Sequence, residues 1–67
     1  MNNIYYVIDR TDDEFWDINK FKDVDKALNY KNNNPKVTVT CNKMEVLELL
    51  LYALVHKILY RIGECYS

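Results

Sequence analysis

Glycine and proline are almost missing from this 67-residue chain, which contains one of each. A glycine-rich phosphate loop needs several closely spaced glycines, because backbone N–H groups must approach the phosphate, so it cannot be built here. The H-E-x-x-H motif is also missing, and no carboxylate is followed two residues later by lysine, which removes the usual metal-nuclease signature. These absences exclude the common nucleotide-dependent and metal-dependent enzymes, so we expect no enzyme activity and no cofactor.

Cysteine and histidine are scarce as well, with two cysteines and one histidine. Cys41 and Cys65 are too far apart for a C-x-x-C pair, and His56 cannot complete a zinc site of ordinary spacing with them. The acidic segment "DRTDDE" begins like a calcium loop but has Glu14 where that loop requires glycine. We therefore predict no metal site and no disulfide, with Cys41 buried on the inner side of a strand.

Signals for export or membrane insertion are not found in the sequence. The first residues, "MNNIYYVIDR", lack a positively charged start and a long apolar run, so they do not resemble a signal peptide. The apolar segment 45–62 is interrupted by Glu45, Glu48, Lys57 and Arg61, whereas a spanning helix needs about 18 or more apolar residues in a row. The expectation is a cytoplasmic protein without membrane contact.

Apolar alternation predicts three strands, because side chains on a strand point to opposite faces in turn. The segments "NIYYVIDR" and "EFWDIN" form a predicted hairpin around "TDDE", and "KVTVTC" is the third predicted strand. Between them, "DVDKALNYK" has helical spacing, with Asp23 as the residue that caps its start. A long C-terminal helix is predicted over 43–62, because Asn42 can cap its start and Gly63 follows its end.

The predicted order β-β-α-β-α indicates a single α+β domain over residues 1–67. Three strands and two helices pack most economically as two layers, with a short helix and a long C-terminal helix on one face of a three-stranded sheet. A chain of this size buries only about 60% of the surface that its unfolded form exposes, so it is marginally stable alone. Small chains without disulfides or metals often gain stability by forming oligomers.

The long helix has a wider apolar surface than one sheet contact can cover. Its apolar side chains fill an arc of about 180°, whereas a single core-facing stripe needs only somewhat more than about 100°. One flank follows the three-four alternation of a coiled coil. We predict a homodimer whose interface is formed by Leu47, Leu51, Leu54 and Ile58; the alternative is that the short helix and the hairpin cover both flanks.

A rival hypothesis is a small nucleic-acid-binding regulator. If the sheet has one open face, Tyr5 and Phe15 lie on it, and aromatic rings on an open sheet can stack with bases. The net charge of −1 and the two arginines argue against this use of the face. Nucleic acid therefore remains a possible partner that the sequence does not favour.

The composition also indicates an origin. Asn, Lys, Ile, Tyr, Phe and Met, which have A/T-rich codons, supply thirty of the 67 residues. Together with the short length and the missing catalytic motifs, this bias favours an accessory protein of a phage, prophage or other mobile element. The leading hypothesis is a homodimer that binds a protein partner, for example a host protein.

Overall fold

The computed structural model describes residues 3–66, which form two helices and one four-stranded sheet. The α+β class is confirmed, but the three-stranded sheet and the order β-β-α-β-α are wrong, because residues predicted to end the long helix form a fourth strand instead. In chain order the elements are β1 (Tyr5–Asp9), β2 (Phe15–Phe21), α1 (Val24–Lys31), β3 (Val37–Thr40), α2 (Lys43–Val55) and β4 (Leu59–Tyr66).

The strand order across the sheet is β3-β1-β2-β4. β1 is antiparallel to both β2 and β3, and β4 runs parallel to β2 along its other side. The connection from β2 through α1 to β3 crosses the sheet in one direction, and the connection from β3 through α2 to β4 crosses it in the other. Crossovers of the same hand that travel in opposite directions place their helices on opposite faces.

The two helices lie on opposite faces of the sheet and cover separate apolar cores. Val7 and Ile8 are neighbours on the central strand β1, and both are 0% exposed. One core, under α1, contains Val7, Phe21, Ala27 and Val37. The other, under α2, contains Ile8, Trp16, Ile18, Val46 and Ala53. The predicted two-layer arrangement is therefore wrong, and the molecule has three layers.

The predicted start of each helix is confirmed. The Asp23 side chain accepts a hydrogen bond from the backbone N–H of Asp25 at 2.8 Å. At α2, Asn42 Oδ1 accepts from the backbone N–H of Met44 at 2.9 Å. These acceptors satisfy N–H groups that have no partner inside the helix. In a capping box, Glu45 would also accept a hydrogen bond from the Asn42 backbone N–H. Here Glu45 instead accepts from the Thr40 hydroxyl at 3.0 Å, and that hydroxyl oxygen accepts from the Asn42 N–H.

α2 ends at Val55, seven residues before the predicted end at residue 62. Lys57 has a left-handed backbone with φ of 58°. The N–H of Lys57 donates to the Leu54 carbonyl at 3.2 Å, and the N–H of Ile58 donates to the Ala53 carbonyl at 2.8 Å. This pair of bonds is the Schellman motif, in which the left-handed position is usually glycine. Because this position holds lysine and not glycine, the sequence did not indicate that the helix ends here.

Gly63 does not end a helix but lies within β4 beside Asn19. Ile18 pairs with Ile62 and Lys20 with Cys65, so two residues of β4 lie opposite Asn19. Asn19 is buried, and a Cβ at position 63 would lie 2.9 Å from its Oδ1. Glycine is therefore needed for close approach of the amide side chain, a common reason for glycine in a strand.

Cys41 lies just after β3 and is exposed, so its predicted burial is wrong. The strand ends at Thr40 because Thr40 and Asn42 begin the cap of α2 at once. Cys65 is also exposed, and the two thiols are not joined to one another.

Candidate functional site

One flank of α2 carries a row of exposed apolar side chains, which we name the α2 seam. It consists of Met44, Leu47, Leu51 and Leu54, spaced by three, four and three residues. The four side chains are between 52% and 71% exposed, and the neighbouring Val55 is exposed as well. Residues at this spacing lie one above the other along a single side of a helix. The seam is therefore a continuous apolar strip on the surface.

The other apolar flank of α2 lies against the sheet. Val46 and Ala53 are buried, and Leu49 and Leu50 pack on the same core. The sheet therefore receives one flank only, which matches the excess apolar width expected from the sequence. Of the predicted interface residues, Leu47, Leu51 and Leu54 lie in the exposed seam. Ile58 lies beyond the end of α2 and packs against the core, so it is not part of the seam.

β4 adds apolar surface on the same face of the sheet as α2. Tyr60 pairs with Trp16 and Ile62 with Ile18, and both β2 residues lie under α2. Tyr60 and Ile62 are nevertheless exposed, because α2 does not cover this edge strand. At the start of α2, Tyr6, Lys43, Val46 and Leu47 line a small cavity of about 260 Å³.

A second, larger cavity of about 450 Å³ lies at the other end of α2, and we name it the aromatic cleft. Its polar and aromatic lining comprises Arg10, Asp13, Trp16, Lys36, Tyr52 and His56. The Trp16 and Tyr52 rings are almost parallel, with 6.0 Å between their centroids and 8° between their planes. The Tyr52 and His56 ring centroids are 4.1 Å apart. One wall of the cleft is therefore a row of three rings.

Arg10 provides positive charge beside these rings. Its guanidinium carbon lies 6.0 Å from the centre of the Trp16 ring, which is a favourable position for a cation. Arg10 Nη2 donates to Thr38 Oγ1 at 2.9 Å, which ties the side chain to β3. Among the described residues, its buried Nε atom has no hydrogen-bond partner. The residue is thus held in place with part of its hydrogen-bonding capacity unused.

The sequence gave no indication of this cleft, because its residues come from separate parts of the chain. Arg10 follows β1, Lys36 precedes β3, and Tyr52 lies on α2. The Arg10 N–H donates to the Lys36 carbonyl at 2.9 Å, which brings the two basic residues side by side. The contact between Arg10 and Lys36 cannot be recognised from their spacing in the sequence, because they are far apart in the chain.

The face that the rival hypothesis would use for base stacking is partly covered by α1. Tyr5 packs against the core under α1 and is half-buried, whereas Phe15 is exposed at the start of β2. Tyr5 pairs with Phe21, six residues along the strand from Phe15, which corresponds to roughly 20 Å. The structure therefore does not bring Tyr5 and Phe15 together into one surface.

Within residues 3–66 no cluster of three or more His, Cys, Asp or Glu side chains is placed to hold a metal ion. Neither helix of that part of the chain has the length and apolar character needed to cross a membrane. Comparisons with known protein families, with curated proteins and with solved structures gave no significant match.

Proposed function

We propose that this protein is a non-enzymatic homodimer in which the α2 seams of two copies pack against each other. The observation that carries the proposal is the seam itself: four large apolar side chains, more than half exposed, at coiled-coil spacing. A two-fold interface uses the same patch on both copies, so the patch must complement itself. A three-four alternation meets this condition, because its side chains fit between those of an identical row.

The energy available at the seam supports association. Full burial of a large aliphatic side chain contributes about 1.5 to 3 kcal/mol, so covering four side chains that are more than half exposed on each of two copies recovers roughly 7 to 15 kcal/mol. The loss of translational and rotational freedom costs about 4 to 15 kcal/mol. When the cost lies near the lower end of its range, the middle of the gain leaves a net of about 7 kcal/mol, which corresponds to a reversible dimer with a Kd of roughly 10 micromolar.

Charge at the borders of the seam also favours a second copy as the occupant. The seam contains no charged residue, and Lys43 and Glu48 flank it on opposite sides at the two positions where coiled coils carry their ion pairs. In a parallel pair, Lys43 faces Glu48 of the partner subunit. Glu48→Lys alone should weaken the dimer, and addition of Lys43→Glu to the same chain should restore it.

The decisive experiment is sedimentation of Leu51→Glu over a wide concentration range, from about 1 to about 300 micromolar, in which a dissociable dimer changes its mass. The wild type should change from monomer to dimer across this range. Leu51→Glu should remain monomeric, because a carboxylate in the middle of the seam would be buried without a partner.

Leu28→Glu is the matched control for this variant. Leu28 lies on α1 and is 52% exposed, as Leu47 is in the seam, but it faces the other side of the molecule. Leu28→Glu should dimerise like the wild type. A wild-type chain that stays monomeric at the highest concentration, or equal loss of dimer in both variants, would contradict the proposal.

We also propose that the dimer acts as an accessory protein of a phage or mobile element and binds a host protein. The A/T-rich composition supports this origin. Phe15 and Leu59 pair with each other and are exposed on the α1 side of the sheet, so they form an apolar surface outside the seam to which a host protein can bind. Pull-down from a bacterial lysate with and without nuclease would test this role. Capture of a protein that persists after nuclease treatment and is lost in Phe15→Ser is the expected result; capture of nucleic acid alone would favour the rival hypothesis.

A further inference from the structure

The aromatic cleft has the size and shape of a small-molecule site. Its volume of about 450 Å³ lies within the range of ligand pockets, which is about 300 to 1,000 Å³. It opens on the opposite flank of α2 from the seam, since Tyr52 is on the polar side of the helix. The cleft therefore remains accessible when two seams are packed together, and what it binds is a question separate from dimer formation.

The aromatic wall favours a planar ligand. Trp16 is buried and forms the inner ring of the row, whereas Tyr52 is 54% exposed and lines the cleft. His56 lies over one face of Tyr52, with 4.1 Å between the ring centroids, so it extends the row of rings and its own outer face is available. Flat aromatic ligands stack on such surfaces in proteins, and nucleobases do so without regard to their identity.

The charged lining favours an anion. Two permanent cations, Arg10 and Lys36, line the cleft against a single carboxylate, that of Asp13. A guanidinium has five N–H donors, and among the described residues the guanidinium of Arg10 makes one hydrogen bond, to Thr38. Carboxylates and phosphates are the ligands that accept several such bonds at once. The Lys36 side chain is exposed, so it can move to contact a bound anion.

We infer that the aromatic cleft binds a small planar anion: an aromatic ring that carries a phosphate or a carboxylate, with a nucleoside monophosphate as its representative. The ring stacks at the exposed end of the row, on His56 as it is held by Tyr52, and the anionic group lies against Arg10 and Lys36. A carboxylate such as 4-hydroxybenzoate and a phosphate such as AMP share this chemistry, so both serve as probes.

Trp16 provides a direct signal, because it is the only tryptophan in the chain and lies in the cleft wall. Titration with AMP, excited beyond the absorption of the nucleotide, should change its fluorescence and reach saturation. Adenosine and inorganic phosphate should each bind at least about tenfold more weakly, because each keeps only one half of the recognition. If 4-hydroxybenzoate saturates the signal and AMP does not, the anion is a carboxylate.

Two variants test whether the ligand binds in the cleft. Calorimetry measures the affinity of any variant whose substitution alters the fluorescence of Trp16. Lys36→Gln and Tyr52→Leu alter exposed side chains, so both should fold, and each should weaken binding about tenfold. Tyr60→Leu, which alters an exposed tyrosine outside the cleft, should bind like the wild type. The inference is overturned if neither AMP nor 4-hydroxybenzoate gives a saturable signal at millimolar concentration, or if all three variants bind equally.

A short single-stranded oligonucleotide distinguishes the two sources of a nucleotide. Binding tighter than that of AMP, and lost in Lys36→Gln and Tyr52→Leu, would identify the end of a nucleic acid strand as the source. Binding weaker than that of AMP would identify the free nucleotide as the ligand, because the cleft would then not accept a nucleotide that is joined to a strand.

Discussion

Residues 3–42 and residues 43–66 use their apolar side chains in opposite ways. The first segment supplies seven of the nine buried apolar residues, and the second supplies nine of the thirteen large apolar residues that are exposed. The second segment is thus the more apolar but contributes less to the core. The difference teaches that the apolar content of α2 and β4 exceeds what the folded monomer can bury, and this excess is the basis of the proposed dimer.

The largest expected effect contrasts one residue from each segment in dilute, monomeric protein. Ile8→Ala should lower the free energy of unfolding by about 2 to 5 kcal/mol, because Ile8 is fully buried and its truncation leaves a cavity. Leu54→Ala should change it by less than about 0.5 kcal/mol, as is usual for surface positions. Urea denaturation measures both values. Similar losses in the two variants would show that the seam is covered within the monomer.

The contact between Asn19 and Gly63 joins the two segments, and its disruption should have an intermediate effect. Gly63→Ala should cost about 1 to 3 kcal/mol, because the added methyl group would overlap the Asn19 amide and overpack the site. Removal of that amide in Asn19→Ala should make Gly63→Ala nearly neutral. A double-mutant cycle measures this coupling, and additive losses would mean that the steric account is wrong.

The smallest effect is expected where the second segment turns from helix to strand. Lys57→Gly should stabilise the protein by up to about 1 kcal/mol, because glycine adopts the left-handed backbone without the penalty of a Cβ. The gain is limited by the greater freedom of glycine in the unfolded chain. Thermal denaturation at fixed concentration would detect it, with Lys22→Gly, at a position outside the helices, as the control. A lower melting temperature for Lys57→Gly would contradict the role given to this residue.

The elements of the first segment could be predicted because their signals are local. Tyr5–Asp9 and Val37–Thr40 alternate between faces, and Asp23 and Asn42 cap the helices that follow them. Their arrangement could not be predicted in full. Strand alternation does not show which face of β3 meets which helix, and the antiparallel register pairs Val39 with Val7 and places both under α1, on the opposite face from Ile8.

The second segment could not be predicted beyond α2, because its structure depends on a distant partner. The alternation in Leu59–Ile62 is hidden by the apolar residues on both sides of it, and no glycine or proline marks the turn at Lys57. What makes these residues a strand is pairing with β2. The exposed seam was expected from apolar width alone, since this quantity does not depend on where the helix ends.

The pairing of β4 with β2 also affects the order in which the sheet folds. The ion pair between Asp17 and Arg61 spans these strands across 44 residues, whereas the β1–β2 hairpin closes through a short turn. Hairpins form in about 1 to 10 microseconds, and contacts between residues far apart in the chain form more slowly because a long loop must be closed first. β4 is therefore expected to join the sheet last, and its arrival is the event that limits the folding rate. Until then the outer edge of β2 is unpaired, so refolding at high concentration should favour the exchange of β4 between two chains.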